Sequence, residues 1–268
     1  MNLFWLAQFR KDFLWAYSYK ISFFGQFFAI FMTLFTFYFI SETFSMSESP
    51  HLEQYNNNYF LFAIIGICTI DFISSGLRSA TKSIREAQAF GYIDMIVNAK
   101  ITLQYFLICS LIYPCFIGLI RALLFILVAG YIYNLEMSPG PIALALLVII
   151  LTLISFLGVS LFASSFVLAF KQGDPINIFI TITLTICSGV VFPISVLPDY
   201  IQSISNIIPI THGIEMVRKI VIFNSVDHFS IKTIFYLLFT SILLMCSGII
   251  LVTFTTNWIK KNGTSGRY

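Results

Sequence analysis

The most restrictive feature of the sequence is a series of six apolar runs separated by polar segments. A helix that crosses a bilayer needs about 20 mostly apolar residues, because the hydrocarbon core is roughly 30 Å thick. Only 10% of the residues are charged, whereas a soluble domain carries about 25%. We therefore predict an all-α integral membrane protein with six transmembrane helices. The predicted spans are residues 21–40, 59–80, 102–133, 141–170, 175–191 and 231–256.

The first 20 residues predict a helix of a different kind. Trp5, Phe9 and Phe13 recur at helical spacing, and polar residues lie elsewhere on the helical wheel. This pattern predicts an amphipathic helix in the membrane interface; the alternative is an ordinary cytosolic start to the first span. The segments between the apolar runs are too short to fold as soluble domains. We therefore expect residues 1–268 to form a single transmembrane domain.

The distribution of basic residues predicts the orientation of the chain. Of the 15 Lys and Arg residues, 11 lie in the N-terminal segment, in two linkers between spans, and in the C-terminal tail. These are Arg10, Lys11, Lys20, Arg78, Lys82, Arg85, Lys100, Lys171, Lys260, Lys261 and Arg267. Because basic loops stay on the cytoplasmic side, we predict a multi-pass protein of the cytoplasmic membrane with both termini in the cytoplasm.

A segment interrupted by three prolines precedes the last predicted span. Pro193, Pro198 and Pro209 divide residues 193–220 into pieces too short to cross a bilayer. Proline stops a helix, so each one marks the boundary of an element. Broken helix is tolerated near lipid only where protein or a water-filled cavity receives its free backbone groups. We predict a re-entrant or interfacial helical hairpin that faces outward.

The longest charged segment between spans is residues 81–100, on the predicted cytoplasmic side. Ile93, Ile96 and Val97 fall on one helical face, and Gly91 permits a tight bend or a close backbone approach. A short amphipathic helix of this kind can rest on lipid or dock into a groove of a partner. The residues alone leave both alternatives open.

Two charged residues lie inside predicted spans, where a charge is costly and usually faces protein. Asp71 comes 12 residues after Tyr59, and Arg121 comes 12 residues before Tyr133. Both therefore lie about 18 Å below the same membrane edge. Equal depth predicts an intramembrane ion pair, with a contact to transported substrate as the alternative.

Motifs for metal or nucleotide binding are not present in the sequence. His212 and Glu215 are three residues apart, but His51 and His228 lie in separate loops, so no set of metal ligands is predicted. The phosphate-binding pattern GxxxxGK[ST] does not occur. If ATP drives this protein, the ATPase is another chain. The basic residues lie beside apolar runs, so they indicate membrane lipid and not nucleic acid as a partner.

Two motifs resemble those of the membrane subunit of type-two ATP-binding-cassette exporters. The sequence Arg85-Glu86 followed by Gly91-Tyr92-Ile93-Asp94 is similar to the RE…GTLE stretch of that family, with Tyr-Ile-Asp in place of Thr-Leu-Glu. The sequence SGVVFP, followed by LP, by PITH and by a basic residue, is similar to its SG..FP…LP…P.TH…R signature. The matching positions are Gly189, Phe192, Pro193, Pro198, Pro209, Thr211, His212 and Arg218.

This resemblance implies a fold and a set of partners. The working unit would contain two permease subunits, expected to be identical copies, and two cassette ATPase subunits that bind ATP and Mg²⁺. Residues 1–20 would form the connecting helix, residues 81–100 the coupling segment, and residues 193–220 the external re-entrant helices. The route would run between the two copies, lined by the first, second and fifth spans. The residues implied to contact the ATPase are Arg85, Glu86, Phe90, Gly91, Tyr92 and Asp94.

We expect a permease subunit of an ATP-driven exporter, with no catalytic residues, metal or cofactor of its own. A hydrophobic or amphiphilic cargo (drug-like, lipid or lipid-linked glycan) is favoured because the spans carry almost no charge. The alternative is a membrane scaffold or assembly factor that transports nothing. A secondary transporter is disfavoured because only two charges lie deep in the spans.

Overall fold

The computed structural model of the chain describes residues 3–44, 55, 58–98, 102–132, 138–170, 174–225 and 230–262. Every regular element across these residues is helical, as the apolar runs predict. The helices are α1 (Phe4–Ser18), α2 (Lys20–Phe44), α3 (Tyr59–Ala89), α4 (Ile93–Asn98), α5 (Leu103–Ile132), α6 (Pro139–Phe170), α7 (Asp174–Cys187), α8 (Asp199–Ser205), α9 (Pro209–Phe223) and α10 (Ile231–Asn262), and a short 3₁₀ helix covers Ile194–Val196.

Five of these helices are long and apolar enough to cross a membrane, namely α2, α3, α5, α6 and α10. The predicted fifth span, residues 175–191, corresponds to α7, which is also apolar but has only 14 residues. At 1.5 Å per residue it is about 21 Å long, shorter than the hydrocarbon core. The helix ends at Cys187 and not at residue 191, because Gly189 adopts a left-handed conformation with φ 65°.

Helix α3 is longer than the second predicted span. It runs to Ala89, nine residues beyond the expected end at residue 80, and so includes the first part of the predicted coupling segment. Ile84 and Ala87 continue its buried face and pack with α5 and α10, which explains why the helix does not stop at the membrane edge. Its 31 residues span about 46 Å, which exceeds the hydrocarbon core by roughly 16 Å.

Helix α3 lies at the centre of the structure and α2 at its periphery. In the most apolar part of each helix, 78% of α3 is buried but only 11% of α2. The main core joins α3 to α5, α6 and α9, and a second core packs α4 and the end of α3 against α5, α6 and α10. Helices α6 and α10 approach through Gly158 and Gly248, where the backbone of one helix touches that of the other. Small residues permit such close packing in membranes.

Helix α1 packs along α5 and leaves apolar side chains exposed. The ring of Phe9 lies edge-on to the rings of Tyr113 and Phe116, both with centroids 5.8 Å away. Trp5 and Phe13 remain exposed on the same helix. An exposed apolar face on a helix beside the spans is typical of a helix lying in the membrane interface.

Candidate functional site

The segment between α7 and α9 folds in short steps, and its prolines mark where each step begins. Pro193 precedes the 3₁₀ helix, Pro198 precedes α8, and Pro209 is the first residue of α9. Phe192, the aromatic residue of the motif, is half-buried just before Pro193. We call residues 188–208 the break segment. Proline suits these positions because it has no backbone N–H to leave unpaired in a first helical turn.

The break segment begins with a turn that requires glycine. Gly189 has a φ of 65°, which side chains other than glycine rarely adopt. A Cβ atom at this position would also lie 2.7 Å from Cγ1 of Ile194. The turn brings Val190, which is completely buried, against α3 and α9.

The most buried charge in the described structure belongs to Arg218 of α9, whose side chain is 1% exposed. Its Nε donates a hydrogen bond to the Phe62 carbonyl oxygen at 3.0 Å, and its Nη2 donates to the Val190 carbonyl oxygen at 2.8 Å. The guanidinium carbon lies 3.5 Å from the centre of the Phe62 ring, a cation–π contact. One side chain therefore joins α3, the break segment and α9.

Gly66 makes room for this arrangement on α3. A Cβ atom there would overlap the Val190 carbonyl oxygen and lie 2.6 Å from Nη2 of Arg218. Tyr55 adds a second ring to the site: its centroid lies 5.9 Å from the guanidinium carbon of Arg218 and 4.9 Å from the centroid of Phe62. We call Arg218, Phe62, Gly66 and Val190 the Arg218 anchor. Because the guanidinium stays protonated in proteins, the anchor holds a permanent positive charge among backbone carbonyls.

The turn between α8 and α9 is held by two further side chains. Nε2 of His212 lies 2.8 Å from the Asn206 carbonyl oxygen, and the Tyr236 hydroxyl donates to the Ile207 carbonyl oxygen at 2.6 Å. A carbonyl only accepts, so Nε2 carries the proton in this contact. The two rings meet edge to face at 4.8 Å. His212 of the motif therefore fixes the turn and, through Tyr236, ties it to α10.

Helix α9 also approaches α6 closely at its first turns. A Cβ atom at Gly213 would overlap the side chain of Thr152. Thr211 is buried at 1% exposure, and its Oγ1 has no hydrogen-bond partner among the described residues. Packing against α6, α3 and α10 thus surrounds the first half of α9.

The two charged residues inside the spans lie together. Nη2 of Arg121 on α5 is 3.3 Å from Oδ2 of Asp71 on α3, and the side chains are 11% and 31% exposed. The equal depth of the two positions in the sequence predicts this juxtaposition. The pair ties α3 to α5 about one and a half helical turns beyond Gly66 and two and a half beyond Phe62, the two anchor residues on α3.

At the other end of α3 the chain turns sharply at Phe90. The Phe90 N–H donates to the Glu86 carbonyl oxygen at 2.9 Å, and Gly91 follows with a φ of 73°. Phe90 is 78% exposed and Met95, on α4, is 76% exposed. We call residues 90–92 the Phe90 turn. Phe90 and the nearby Met95 thus expose large apolar side chains just after the end of α3, which extends beyond the second predicted span.

The predicted apolar face of the coupling segment packs on the core of the chain itself, whereas the sequence left lipid and a partner protein as the two alternatives. Ile93 is 2% exposed, and both Ile93 and Ile96 pack on the core that includes the end of α3 and the start of α5. These two side chains therefore face the protein itself, not lipid or a second protein. The side chains of Val97 and Asp94 lie outside the described residues. The exposed apolar residues are instead Phe90, which directly precedes Gly91 of the motif, and Met95, which the helical pattern did not identify.

The polar residues beside the turn connect α3 to α1. Lys82 pairs with Glu86 at 3.5 Å, and its ammonium lies 4.1 Å from the centre of the Trp15 ring. Burial raises the pKa of the Asp12 carboxyl, although Lys11, 3.1 Å away, opposes this change. Burial also raises the pKa of the half-buried Tyr92 phenol. Arg85 is half-buried on the same stretch of α3.

These features define a class: a polytopic helical membrane protein with a long central helix, an exposed turn at one end, and a broken helical segment at the other. The ABC-2 type transporter family model matches residues 12–222, from α1 to α9. The chain belongs to the ABC-2 type transporter family, as the two motifs predicted, and is a membrane subunit of an ABC transporter. No curated protein matches it. Members of this family are normally non-catalytic and generally pair with an ATPase subunit.

We predict that replacing Arg218 loosens the break segment. Arg218→Met leaves the Phe62 and Val190 carbonyls without their donor, and Arg218→Lys supplies a point charge that cannot reproduce the forked donation. Since a hydrogen bond to a charged group contributes roughly 1.5–3 kcal/mol, both variants are expected to unfold at lower temperature in detergent. Hydrogen exchange of residues 188–192 is expected to accelerate, and more for Met than for Lys.

The matched control for this prediction is Lys232→Met, because Lys232 is an exposed basic residue at the start of α10. If Arg218→Met and Lys232→Met show the same melting temperature and the same exchange at residues 188–192, the anchor does not hold the break segment.

We also predict strong coupling between Asp71 and Arg121. Asp71→Asn or Arg121→Gln alone leaves a charge without its partner inside the span, which lowers the free energy of unfolding by roughly 3 kcal/mol. The double variant is expected to lose much less than the sum of the two. Denaturant unfolding of the four proteins in one detergent measures this difference, and additive losses would show that the pair does not interact.

Proposed function

We propose that this protein is the permease subunit of an ATP-driven exporter that moves a hydrophobic or amphiphilic cargo outward. Two copies of the chain would assemble with two cassette ATPase subunits, which bind ATP and Mg²⁺. Family membership supports the pairing with an ATPase. The sparse charge of the spans supports an apolar or amphiphilic cargo, such as a drug-like molecule, a lipid or a lipid-linked glycan.

One observation carries the proposal: a single helix joins the exposed turn to the Arg218 anchor. Helix α3 runs without interruption from Tyr59 to Ala89, and Phe62, the acceptor of Arg218, lies in its first turn. The Phe90 turn follows its last residue. Because a continuous, buried helix behaves as a rigid element, force applied to the Phe90 turn would be transmitted over about 42 Å to Phe62 and from there to the break segment.

The Phe90 turn has the properties of a docking point for the ATPase. Its exposed phenylalanine and the neighbouring Met95 lack enough cover in the chain itself, and exposed apolar side chains at a loop tip favour a protein contact. Glu86 and Arg85 beside the turn, together with Asp94, supply charges that would orient a partner. We propose that the contact uses Arg85, Glu86, Phe90, Gly91, Tyr92 and Asp94.

At the opposite end, we propose that the break segment and α9 form external re-entrant helices that close the route to the outside. The positively charged residues on the side of the Phe90 turn support a cytoplasmic position for this turn and for both termini. The short α7, which is too short to cross the bilayer alone, supports a pathway that ends at the break segment.

The route is proposed to run between two identical copies, lined by α2, α3 and α7. Large apolar side chains on the outer faces of α2 and α7 support this position, since little of the chain covers them. These side chains include Phe28, Phe31 and Phe35 on α2 and Ile178, Phe179 and Ile182 on α7.

The experiment isolates the complex from native membranes and measures its ATP hydrolysis. We predict that Phe90→Ala reduces both the amount of ATPase that copurifies and the hydrolysis that cargo stimulates. Phe254→Ala is the matched control, because Phe254 is a similarly exposed phenylalanine on α10. If Phe90→Ala matches the parent in both copurification and hydrolysis, the ATPase does not act through the Phe90 turn. Failure of any ATPase to copurify with the parent would favour a scaffold.

Variants of Gly91 distinguish two reasons for a glycine at this position: the positive φ of the turn, and a close approach of the ATPase to the backbone. No atom lies within 4 Å of a Cβ built at Gly91, so the chain itself leaves space for a side chain there. Asparagine tolerates a positive φ, so Gly91→Asn preserves the turn and is expected to retain function if conformation alone matters. If the ATPase approaches the backbone closely, as we propose, Gly91→Asn weakens copurification and Gly91→Trp abolishes it.

A further inference from the structure

A cavity of about 290 Å³ opens where α1, α2 and α5 meet. Its lining is almost entirely aromatic or apolar, and one lysine supplies the only charge among the described residues around it. The lining residues are Phe13, Ala16, Tyr17, Lys20, Phe23, Phe24 and Tyr113. The proposed transport mechanism makes no use of this cavity. The cavity lies beside α1, and its lining includes no residue of the Arg218 anchor or of the Phe90 turn.

The lysine stands at the edge of the apolar region. Helix α1 ends at Ser18 and α2 begins at Lys20, three residues before the apolar window that starts at Phe23. Lys20 is exposed, and its ammonium lies 5.7 Å from the centre of the Tyr17 ring. A lysine at the end of a span carries its charge to the level of the lipid headgroups, with its methylene stem along the apolar wall. Tyrosine is also typical of this level.

The cavity thus combines an apolar space with a cation at its rim. A ligand that fits this combination has a hydrocarbon chain and an anionic head. Basic pockets beside transmembrane helices bind anionic lipid headgroups, and burial of an acyl chain among aromatic side chains is favourable. No carboxylate occurs among the described lining residues to repel a phosphate.

We propose that this cavity holds one acyl chain of an anionic phospholipid, whose phosphate pairs with Lys20. The lipid fills the space between α1 and the two spans, and therefore stabilises the docking of α1 against α2 and α5. A lipid in this position is a resident component of the fold and is distinct from the exported cargo. The proposal does not depend on the direction of transport or on the ATPase partner.

Native mass spectrometry of the full chain tests this proposal. The protein is delipidated and incubated with equimolar phosphatidylglycerol and phosphatidylcholine, and the ratio of the two bound lipids is measured. We expect the parent to retain phosphatidylglycerol in preference. Lys20→Gln is expected to reduce that preference about fivefold, the effect of one lysine near an anionic headgroup. Lys20→Arg keeps the charge and is expected to retain the preference.

Two more variants locate the site and control for charge. Ala16→Phe fills the cavity and is expected to reduce retention of both lipids, whereas Lys232→Gln removes an exposed lysine from α10 and is expected to change neither. The melting temperature in phosphatidylcholine alone shows which variants are folded. An unchanged preference in Lys20→Gln, or equal retention of both lipids by the parent, would overturn the proposal. Displacement by soluble glycerol phosphate would show a site for a free anion and would also overturn it.

Discussion

The structure depends on how a buried positive charge obtains its hydrogen bonds. Arg218 is almost fully removed from solvent, and burial of an ionised group is very costly unless it is hydrogen-bonded. Two of its bonds go to the carbonyls of Phe62 and Val190, which belong to segments far apart in the sequence. The bonds form only when the break segment lies against the first turn of α3. Gly66 is required at this contact because any side chain would occupy the space of the Val190 carbonyl.

This contact gives α3 its role as the central element. The same helix carries the acceptor of Arg218 near its start, the ion pair of Asp71 in its middle, and the Phe90 turn at its end. Its packing on α5 and α6 leaves it little freedom to bend. In the proposed exporter, an event at the ATPase therefore reaches the break segment as a displacement of one helix.

Apolar run length predicted six spans, of which five are helices long enough to cross a membrane and the other, α7, is a shorter apolar helix. Proline positions and the equal depth of two charges predicted the boundaries of the short elements and the meeting of Asp71 with Arg121. Other features were beyond the sequence pattern for physical reasons. The acceptors of Arg218 are backbone carbonyls, which any residue type supplies. The helical pattern around Ile93 shows an apolar face but not which surface covers it. The early end of α7 follows from the left-handed conformation of Gly189, one of two glycines in the described structure with positive φ.

The most direct test of the central claim is a distance within one copy of the chain in the working complex. Spin labels at Ala89, on the last turn of α3, and at Val196, in the 3₁₀ helix, report the two ends of the proposed link; both residues are exposed. Pulsed electron paramagnetic resonance measures the distance without nucleotide and with a trapped ATP analogue. If α3 and the break segment move as one body, this distance stays constant while the distance between the two Val196 labels of the proposed dimer changes. A shift of the Ala89–Val196 distance beyond the width of its distribution, with the Val196 pair unchanged, would contradict the account.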